Sequence, residues 1–245
     1  MISGEDLTAR LTAAERDRTS PPIRVRDAAS LIVLDRSGPA VLMGRRSARH
    51  VFMPNMFVFP GGRCDPGDSR VAIAAPYDAV TEAKLMDRVR AGVGMARARA
   101  LGVAAVREAY EETGILLGTP SARVPAGGDL DAFAARGLGI DLSALRFVAR
   151  AVTPPGRPRR FDTRFFVAAR EAIAAVDESR VGEDAELEEI RWVEIDEARR
   201  MTLPTITLTV LDELTARLAQ DPSLPPDLPV PYYRWTRGCF VRILL

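Results

Sequence analysis

The order of apolar and polar positions predicts two strands near the start of the chain. Residues 28–34 are mostly apolar, and residues 40–45 form a second apolar stretch after a turn-like segment of Asp, Arg, Ser, Gly and Pro. Two apolar runs joined by residues that favour turns are typical of a β-hairpin. Further strand-like runs follow later in the chain, at residues 145–152, 161–168 and 190–193.

Helical spacing of apolar residues marks three other stretches. Residues 79–89 and 94–106 have it, and the second stretch continues into residues 107–113 without a helix breaker. Residues 204–218 carry apolar side chains three and four positions apart, which indicates a helix that covers one face of a sheet. Residues 1–20 predict an N-terminal tail, either a short amphipathic helix or a loose segment. The pattern as a whole predicts one domain of mixed α and β structure.

The composition agrees with one domain, which would span residues 21–245. The chain has 245 residues, 47% of them hydrophobic, so it can bury a substantial core. A formal net charge of +1 favours no charged partner, and we expect no nucleic acid. The two cysteines, Cys64 and Cys239, predict free thiols in a reducing compartment. We expect a cytoplasmic protein, because no apolar run is long enough for a membrane span and the first residues lack the apolar core of a signal peptide.

Candidate chemistry is concentrated in residues 107–115, which read Arg-Glu-Ala-Tyr-Glu-Glu-Thr-Gly-Ile. On a helix, Glu108, Glu111 and Glu112 share one face, because they are three and four residues apart. Like charges at that spacing repel one another, and a hard divalent cation such as Mg²⁺ or Mn²⁺ would compensate. The alternative is an ordinary solvated helix face, which is how most glutamate-rich helical stretches are used.

A second segment changes this balance. Phe-Pro-Gly-Gly ends at Gly62, and Asp68 follows after five residues. Together with residues 107–115, these positions resemble the Nudix box, in which a Gly, five residues and a Glu precede Arg-Glu-aliphatic-x-Glu-Glu-x-Gly-aliphatic by seven residues. Here Asp68 replaces the Glu, and the 38 residues 69–106 replace the seven. The chain is similar to a branch of the family that has a long insertion inside the box and includes coenzyme A diphosphatases.

The resemblance implies a fold and a reaction. The fold would be an α/β/α sandwich around a mixed sheet, with residues 69–106 added as a helical insertion. The reaction would be metal-dependent hydrolysis of the diphosphate bond in a nucleoside diphosphate linked to another moiety. The insertion could cover the pocket, form a dimer contact or have no role in the reaction.

The resemblance also implies roles for individual residues. Glu108 and Glu112 would be the principal ligands of Mg²⁺ or Mn²⁺, with contributions from Glu111 and the carbonyl oxygen of Gly61. Arg107 would orient the carboxylates through ion pairs. Two further residues would support the site from behind, and these are Gly62 and Asp68, whose carboxylate is one methylene shorter than that of Glu.

Coenzyme A and its thioesters are the leading substrates, on a partial match. The coenzyme A-cleaving branch has a signature upstream of Phe-Pro-Gly-Gly, and Leu42, Arg46 and Ser47 agree with it. Four other signature positions differ, and they are Met43, Gly44, Val51 and Asn55. The alternatives are ADP-ribose, NADH or dinucleoside polyphosphates as substrates, or a Nudix-like module that binds a nucleotide without catalysis.

Several charged residues outside the box are weaker candidates. Arg46, Arg157, Arg160 and Arg164 could bind substrate phosphates, or they could be exposed charges in loops. Glu186 lies in an acidic run and could bind metal or activate water, with a solvated charge run as the alternative. The aromatic tail, residues 229–245, could form an edge strand or a homodimer contact.

Overall fold

The fold is built around a mixed β-sheet. The structure is a computed structural model, and it describes residues 2–14, 19–47, 54–89, 94–182 and 185–245. The strands are β1 (Arg26–Asp35), β2 (Ala40–Arg46), β3 (Phe57–Val58), β4 (Gly61–Arg63), β5 (Ile73–Ala75), β6 (Ile115–Leu117), β7 (Thr119–Pro120), β8 (Leu138–Asp141), β9 (Arg146–Val152), β10 (Phe161–Ala169), β11 (Ile173–Val176), β12 (Leu187–Glu194), β13 (Pro231–Thr236) and β14 (Cys239–Leu244).

The helices lie on both faces of this sheet. They are α1 (Gly4–Ala14), α2 (Ala79–Met86), α3 (Met95–Thr113), α4 (Asp131–Ala134), α5 (Ile195–Ala198) and α6 (Thr205–Gln220). One apolar core joins α3 to one sheet face, and a second core joins α1, α5 and α6 to the other. The layers are therefore helix, sheet, helix, as predicted.

The main sheet has the strand order β12-β2-β1-β10-β9-β13-β14, with β3 beside β2 and β4 beside β1. β1 pairs with β10 in parallel, and β9 pairs with β13 in parallel, while the other pairs are antiparallel. The predicted hairpin of β1 and β2 is confirmed. The C-terminal tail forms the β13–β14 hairpin, which makes β14 an edge strand of the sheet.

Of the two alternatives predicted for the N-terminal segment, the structure shows the short amphipathic helix, α1, packed against the sheet. Leu7 and Leu11 of α1 are 3% and 4% exposed and belong to the same core as α6. Their spacing, four residues on one helix face, explains the amphipathic pattern of the sequence. The high charge of the segment obscured this, because its charged residues occupy the other faces of α1.

The insertion contains a β-strand in addition to the two predicted helical stretches. It supplies α2 and the first part of α3, as predicted, and also β5, which pairs in parallel with β8. β8 in turn pairs with β7, so a small three-stranded sheet forms from segments on both sides of α3. Among the described residues, no helix has the length and apolar character that crossing a membrane requires.

Candidate active site

Helix α3 carries the three glutamates of the motif at its C-terminal end. The helix ends at Gly114, which has a left-handed φ of 72°, and whose N–H donates to the carbonyl oxygen of Tyr110. Glu112 is 4% exposed, while Glu108 and Glu111 have 15% and 28% of their side chains exposed. The face predicted from the spacing therefore exists, and it is turned towards the protein rather than towards solvent.

Strand β4 brings the glycine bend against this face. The N–H of Gly61 donates to Oε2 of Glu112 at 2.9 Å. A Cβ atom on Gly62 would lie 2.2 Å from Oε2 of Glu108. Because real Cβ contacts are never that short, only glycine lets the carboxylate approach the backbone this closely. The two segments, distant in sequence, thus meet at Glu108 and Glu112.

Arg107 joins the two halves of the motif. Its Nε and Nη2 donate to the carboxylate of Asp68 at 3.0 and 3.1 Å. Its Nη1 donates to Glu108 at 2.9 Å and to Glu111 at 3.0 Å. Asp68 is 4% exposed and also accepts from the N–H of Asp65 at 2.7 Å. The shorter side chain of Asp68 therefore reaches the guanidinium through both of its oxygens.

Comparisons with known proteins found one curated relative and similar solved structures. No family model matches the chain. Over 189 residues it is 30% identical to putative nudix hydrolase 7 of Caenorhabditis elegans, covering 71% of this chain and 54% of that protein. The chain thus spans about half the length of this relative. The crystal structure of a NUDIX hydrolase from Alicyclobacillus acidocaldarius is similar, with 30% identity and a TM-score of 0.59 over 79% of this chain and 92% of that one.

The chain belongs to the Nudix hydrolase family. The predicted Nudix fold is confirmed by this likeness, and the gap of 38 residues between the halves of the box corresponds to the folded insertion.

Burial and charge raise the pKa values of two of the Nudix-box carboxyl groups. Burial raises the pKa of Glu108 to about 7, with Arg107 acting in the opposite direction and Glu111 adding to the rise. Burial raises the pKa of Glu112 as well, and the charge of Glu186 contributes. The site therefore disfavours a set of ionised carboxylates unless positive charge is added.

One oxygen of Glu112 indicates that the Nudix-box residues fit a cation. Oε1 of Glu112 is buried and has no hydrogen-bond partner within the described part of the chain. A buried carboxylate oxygen without a donor is costly, and a hard divalent cation would satisfy it. Over the same residues, no three Asp, Glu, His or Cys side chains are already gathered as a metal site. Arg107 Nη1 instead lies between Glu108 and Glu111.

Two weaker candidates lie close to this cluster. Glu186 precedes β12, and its Oε1 accepts from Nη1 of Arg46, at the end of β2, at 2.9 Å. The charge of Glu186 raises the pKa values of Glu112 and Glu108, which places it in their electrostatic neighbourhood. Arg46 acts in the opposite direction on Glu112. The pairing of β2 with β12 therefore brings a fourth carboxylate to the Nudix box.

Two of the predicted substrate arginines have other partners. Arg164 is 3% exposed, and its Nη1 donates to Oδ1 of Asp27 and to the carbonyl oxygen of Asp162, each at 2.9 Å. Arg160 donates to the carbonyl oxygens of Thr153 and Ile23. These two arginines hold strands and a loop together, so we do not assign them to substrate. Arg157 is half-buried in the loop between β9 and β10.

Sequence reasoning missed the residues that hold the end of α3. The hydroxyl of Tyr110 donates to Oδ2 of Asp177 at 3.0 Å, and the guanidinium of Arg180 lies 4.6 Å from the centre of the tyrosine ring. The N–H of Asp177 also donates to the carbonyl oxygen of Gly114. Tyr110 occupies a position of the box that accepts any residue, so the motif carries no signal for this contact.

Proposed function

We propose that the chain hydrolyses the diphosphate bond in a nucleoside diphosphate linked to another moiety, with Mg²⁺ or Mn²⁺ as cofactor. The observation that supports this best is the position of Glu112. One of its oxygens accepts from the backbone of Gly61, and the other is buried without a hydrogen-bond partner in the described part of the chain. A metal-dependent hydrolase would use such a carboxylate as a ligand, whereas a binding module has little reason to hold three mutually repelling glutamates.

The residues that would hold the cation are Glu108, Glu111, Glu112 and the carbonyl oxygen of Gly61. When bound, a divalent cation supplies charge neutralisation at the diphosphate and lowers the pKa of a coordinated water. Arg107 keeps Glu108 and Glu111 on the same side of the helix through its ion pairs. The carboxylates are therefore already positioned before a cation binds, which lowers the entropic cost of assembling the site.

Glu186 and Arg46 would act on the substrate side of this cluster. Glu186 is the carboxylate outside the box, and we assign it the removal of a proton from the attacking water. Arg46 holds Glu186 at 2.9 Å and could also meet a phosphate oxygen, because a guanidinium has five donors. Arg157 remains a candidate for an outlying phosphate.

Coenzyme A or one of its thioesters is the substrate we place first. Asn55 stands where the coenzyme A-cleaving branch has Gly, and it adopts a left-handed φ of 59°. Asn tolerates that conformation better than other residues with a side chain, so the substitution preserves the backbone that Gly would allow. Val51, another signature position, lies outside the described residues. ADP-ribose, NADH and dinucleoside polyphosphates are the alternative substrates.

A substrate panel tests the proposal. The purified chain is incubated with coenzyme A, an acyl-coenzyme A, ADP-ribose, NADH and a dinucleoside polyphosphate, with Mg²⁺ or Mn²⁺ and with or without chelator. We expect cleavage products from one group of substrates, abolished by chelator. Glu112→Gln should lower turnover by about 10³-fold or more, whereas Glu194→Gln, at an exposed glutamate, should not. Nucleotide binding without cleavage of any substrate would favour the non-catalytic module.

A further inference from the structure

A cleft of about 460 Å³ lies on the sheet face opposite the Nudix box. It is lined by α1 and the residue Ile2 before it, by α5 and the turn that follows, and by the first turns of α6, whereas the glutamates are on α3 on the other face. Its volume is within the range of small-molecule sites, although it is broadly open to solvent. The cleft shares no residue with the proposed catalytic cluster.

Three arginines and two aspartates supply the charge of this cleft, and they are Arg10, Arg199, Arg200, Asp196 and Asp212. The formal charge of the set is therefore one positive. Asp196 is 81% exposed at its side chain and reaches Arg199 only at 3.5 Å, so water screens its charge. The buried aspartate, Asp212, is consequently the main counterion of the cleft.

Asp212 is shared between two arginines. Its Oδ2 accepts from Nη2 of Arg10 at 2.8 Å, and its Oδ1 accepts from Nε and Nη2 of Arg199 at 2.9 and 2.6 Å. Only 3% of the Asp212 side chain is exposed. One carboxylate thus fixes two guanidinium groups at the cleft, and it neutralises only one of them.

One cation of the cleft remains without a counterion after these bonds are made. Nε of Arg10 has no hydrogen-bond partner among the residues that the structure describes, but it is buried and is therefore not counted as a donor to a ligand. Across the same residues, the exposed guanidinium of Arg200 has no carboxylate partner. Ile2, which is 44% exposed, and Leu208 provide apolar walls beside these cations. Leu208 also places the cleft beside the first turns of α6, the positive end of that helix dipole.

We infer that this cleft is a second anion site, which binds a phosphate-bearing small molecule away from the Nudix box. Guanidinium groups held in place by a buried carboxylate lose little freedom when they bind a phosphate. The apolar walls would contact the organic part of a phosphate ester. This inference does not depend on the proposed hydrolase activity.

Calorimetric titration of the metal-free chain in chelator tests the inference, with inorganic phosphate and a nucleoside monophosphate as separate probes at constant ionic strength. Both probes should bind, and Arg200→Ala should weaken binding about tenfold, since one charge-assisted contact is lost. Arg200→Lys should weaken it less. Arg123→Ala, at an exposed arginine outside the cleft, should not change it.

The two probes distinguish the sources of the phosphate. Equal affinities for the two probes would show that the cleft recognises phosphate alone. Tighter binding of the nucleoside monophosphate would show that the apolar walls contribute to binding. Absence of binding, or binding that Arg200→Ala leaves unchanged, overturns the inference. Binding lost in Glu112→Gln would place the anion at the Nudix box and overturn it as well. A failure of the substrate panel leaves these results unaffected.

Discussion

Arg107 donates two hydrogen bonds, of 3.0 and 3.1 Å, to the carboxylate of Asp68, and the two residues flank the insertion in sequence. Asp68 is buried and Arg107 is largely covered, with 3% and 11% of their side chains exposed. This contact holds the first half of the Nudix box on the helix that carries the second half. It also compensates, in this chain, for an aspartate at a position where the family has glutamate.

We therefore expect Asp68→Asn to destabilise the fold by about 2 kcal/mol, because the guanidinium of Arg107 loses a buried charged acceptor. Urea denaturation measures this change. The matched control is Asp65→Asn on the same segment, whose ion pair with Arg63 is about half exposed on both sides. Its loss should cost about 0.5 kcal/mol or less. Equal effects of the two substitutions would contradict the structural role of Asp68.

The close approach of Gly62 to Glu108 gives a second prediction. Gly62→Ala should displace the Glu108 carboxylate, because the new Cβ would lie 2.2 Å from Oε2. We expect turnover to fall by about 10²-fold, since small displacements of catalytic groups have effects of this size. Gly67→Ala is the control, because its φ is −68° and nothing lies within 4 Å of the new Cβ. If steady-state rates fall equally in both variants, the close approach of Gly62 to Glu108 does not explain the loss of turnover.

Burial of Glu112 predicts a conflict between stability and activity. Burial raises the pKa of this carboxyl group, so its ionised form destabilises the metal-free fold at pH 8. Glu112→Gln removes the charge and keeps the shape. We expect Tm at pH 8 in chelator to rise by about 2–4 °C, equivalent to roughly 1 kcal/mol. A lower Tm, measured by scanning calorimetry, would show that the charge is compensated in the metal-free protein.

The raised pKa of Glu108 predicts the pH dependence of metal-free stability. The folded pKa of about 7 lies above the ordinary 4.5, so the folded state holds this proton more tightly than the unfolded state does. The stabilisation is complete below pH 4.5 and is lost as pH rises through 7. Divalent cations bind the ionised form, so the Tm gain from Mn²⁺ should be larger at pH 8 than at pH 5.

The control for this pH series is Glu108→Gln. It should flatten the decline of metal-free Tm between about pH 5 and pH 8, since the titrating group is gone. A decline of unchanged slope in the variant would assign the effect to other groups.

The two cysteines should differ in reactivity. Cys64 is buried, and burial raises its pKa to about 12, whereas Cys239 is exposed. At pH 8 the thiolate is the reactive form, so a thiol reagent should modify Cys239 alone in the folded chain. Both thiols should react in denaturant. Cys239→Ser should leave no rapidly reacting thiol, and a fast phase in that variant would show that Cys64 is accessible.

The sequence predicted which residues meet at the Nudix box because its signals are local. The spacing of Glu108, Glu111 and Glu112 determines a shared helix face, and Gly61 and Gly62 mark a close backbone approach. The burial of Arg164 and its ion pair with Asp27 were not predictable in this way. Whether an arginine beside a basic loop faces solvent or a partly buried aspartate depends on strand pairing, and here β10 places it next to β1 and Asp27.

The same limit applies to the ends of the chain. The apolar residues of α1 are too few to predict a packed helix by themselves, and their burial depends on α6 and β14, more than 190 residues away. The contact of Tyr110 with Asp177 likewise joins residues 67 positions apart. Such pairs are fixed by tertiary packing, which a pattern of single residues does not encode.

The last part of the insertion and the helix that carries the three glutamates are one continuous helix. Helix α3 begins at Met95, inside the insertion, and runs without interruption to Thr113, beyond the glutamates. Excising residues 69–106 to restore an uninterrupted box would therefore remove the half of the helix whose buried alanines, leucine and valines fit it to the sheet. A shortened version of this protein would need a replacement for the first part of α3. That part of the insertion anchors the helix that carries the three glutamates.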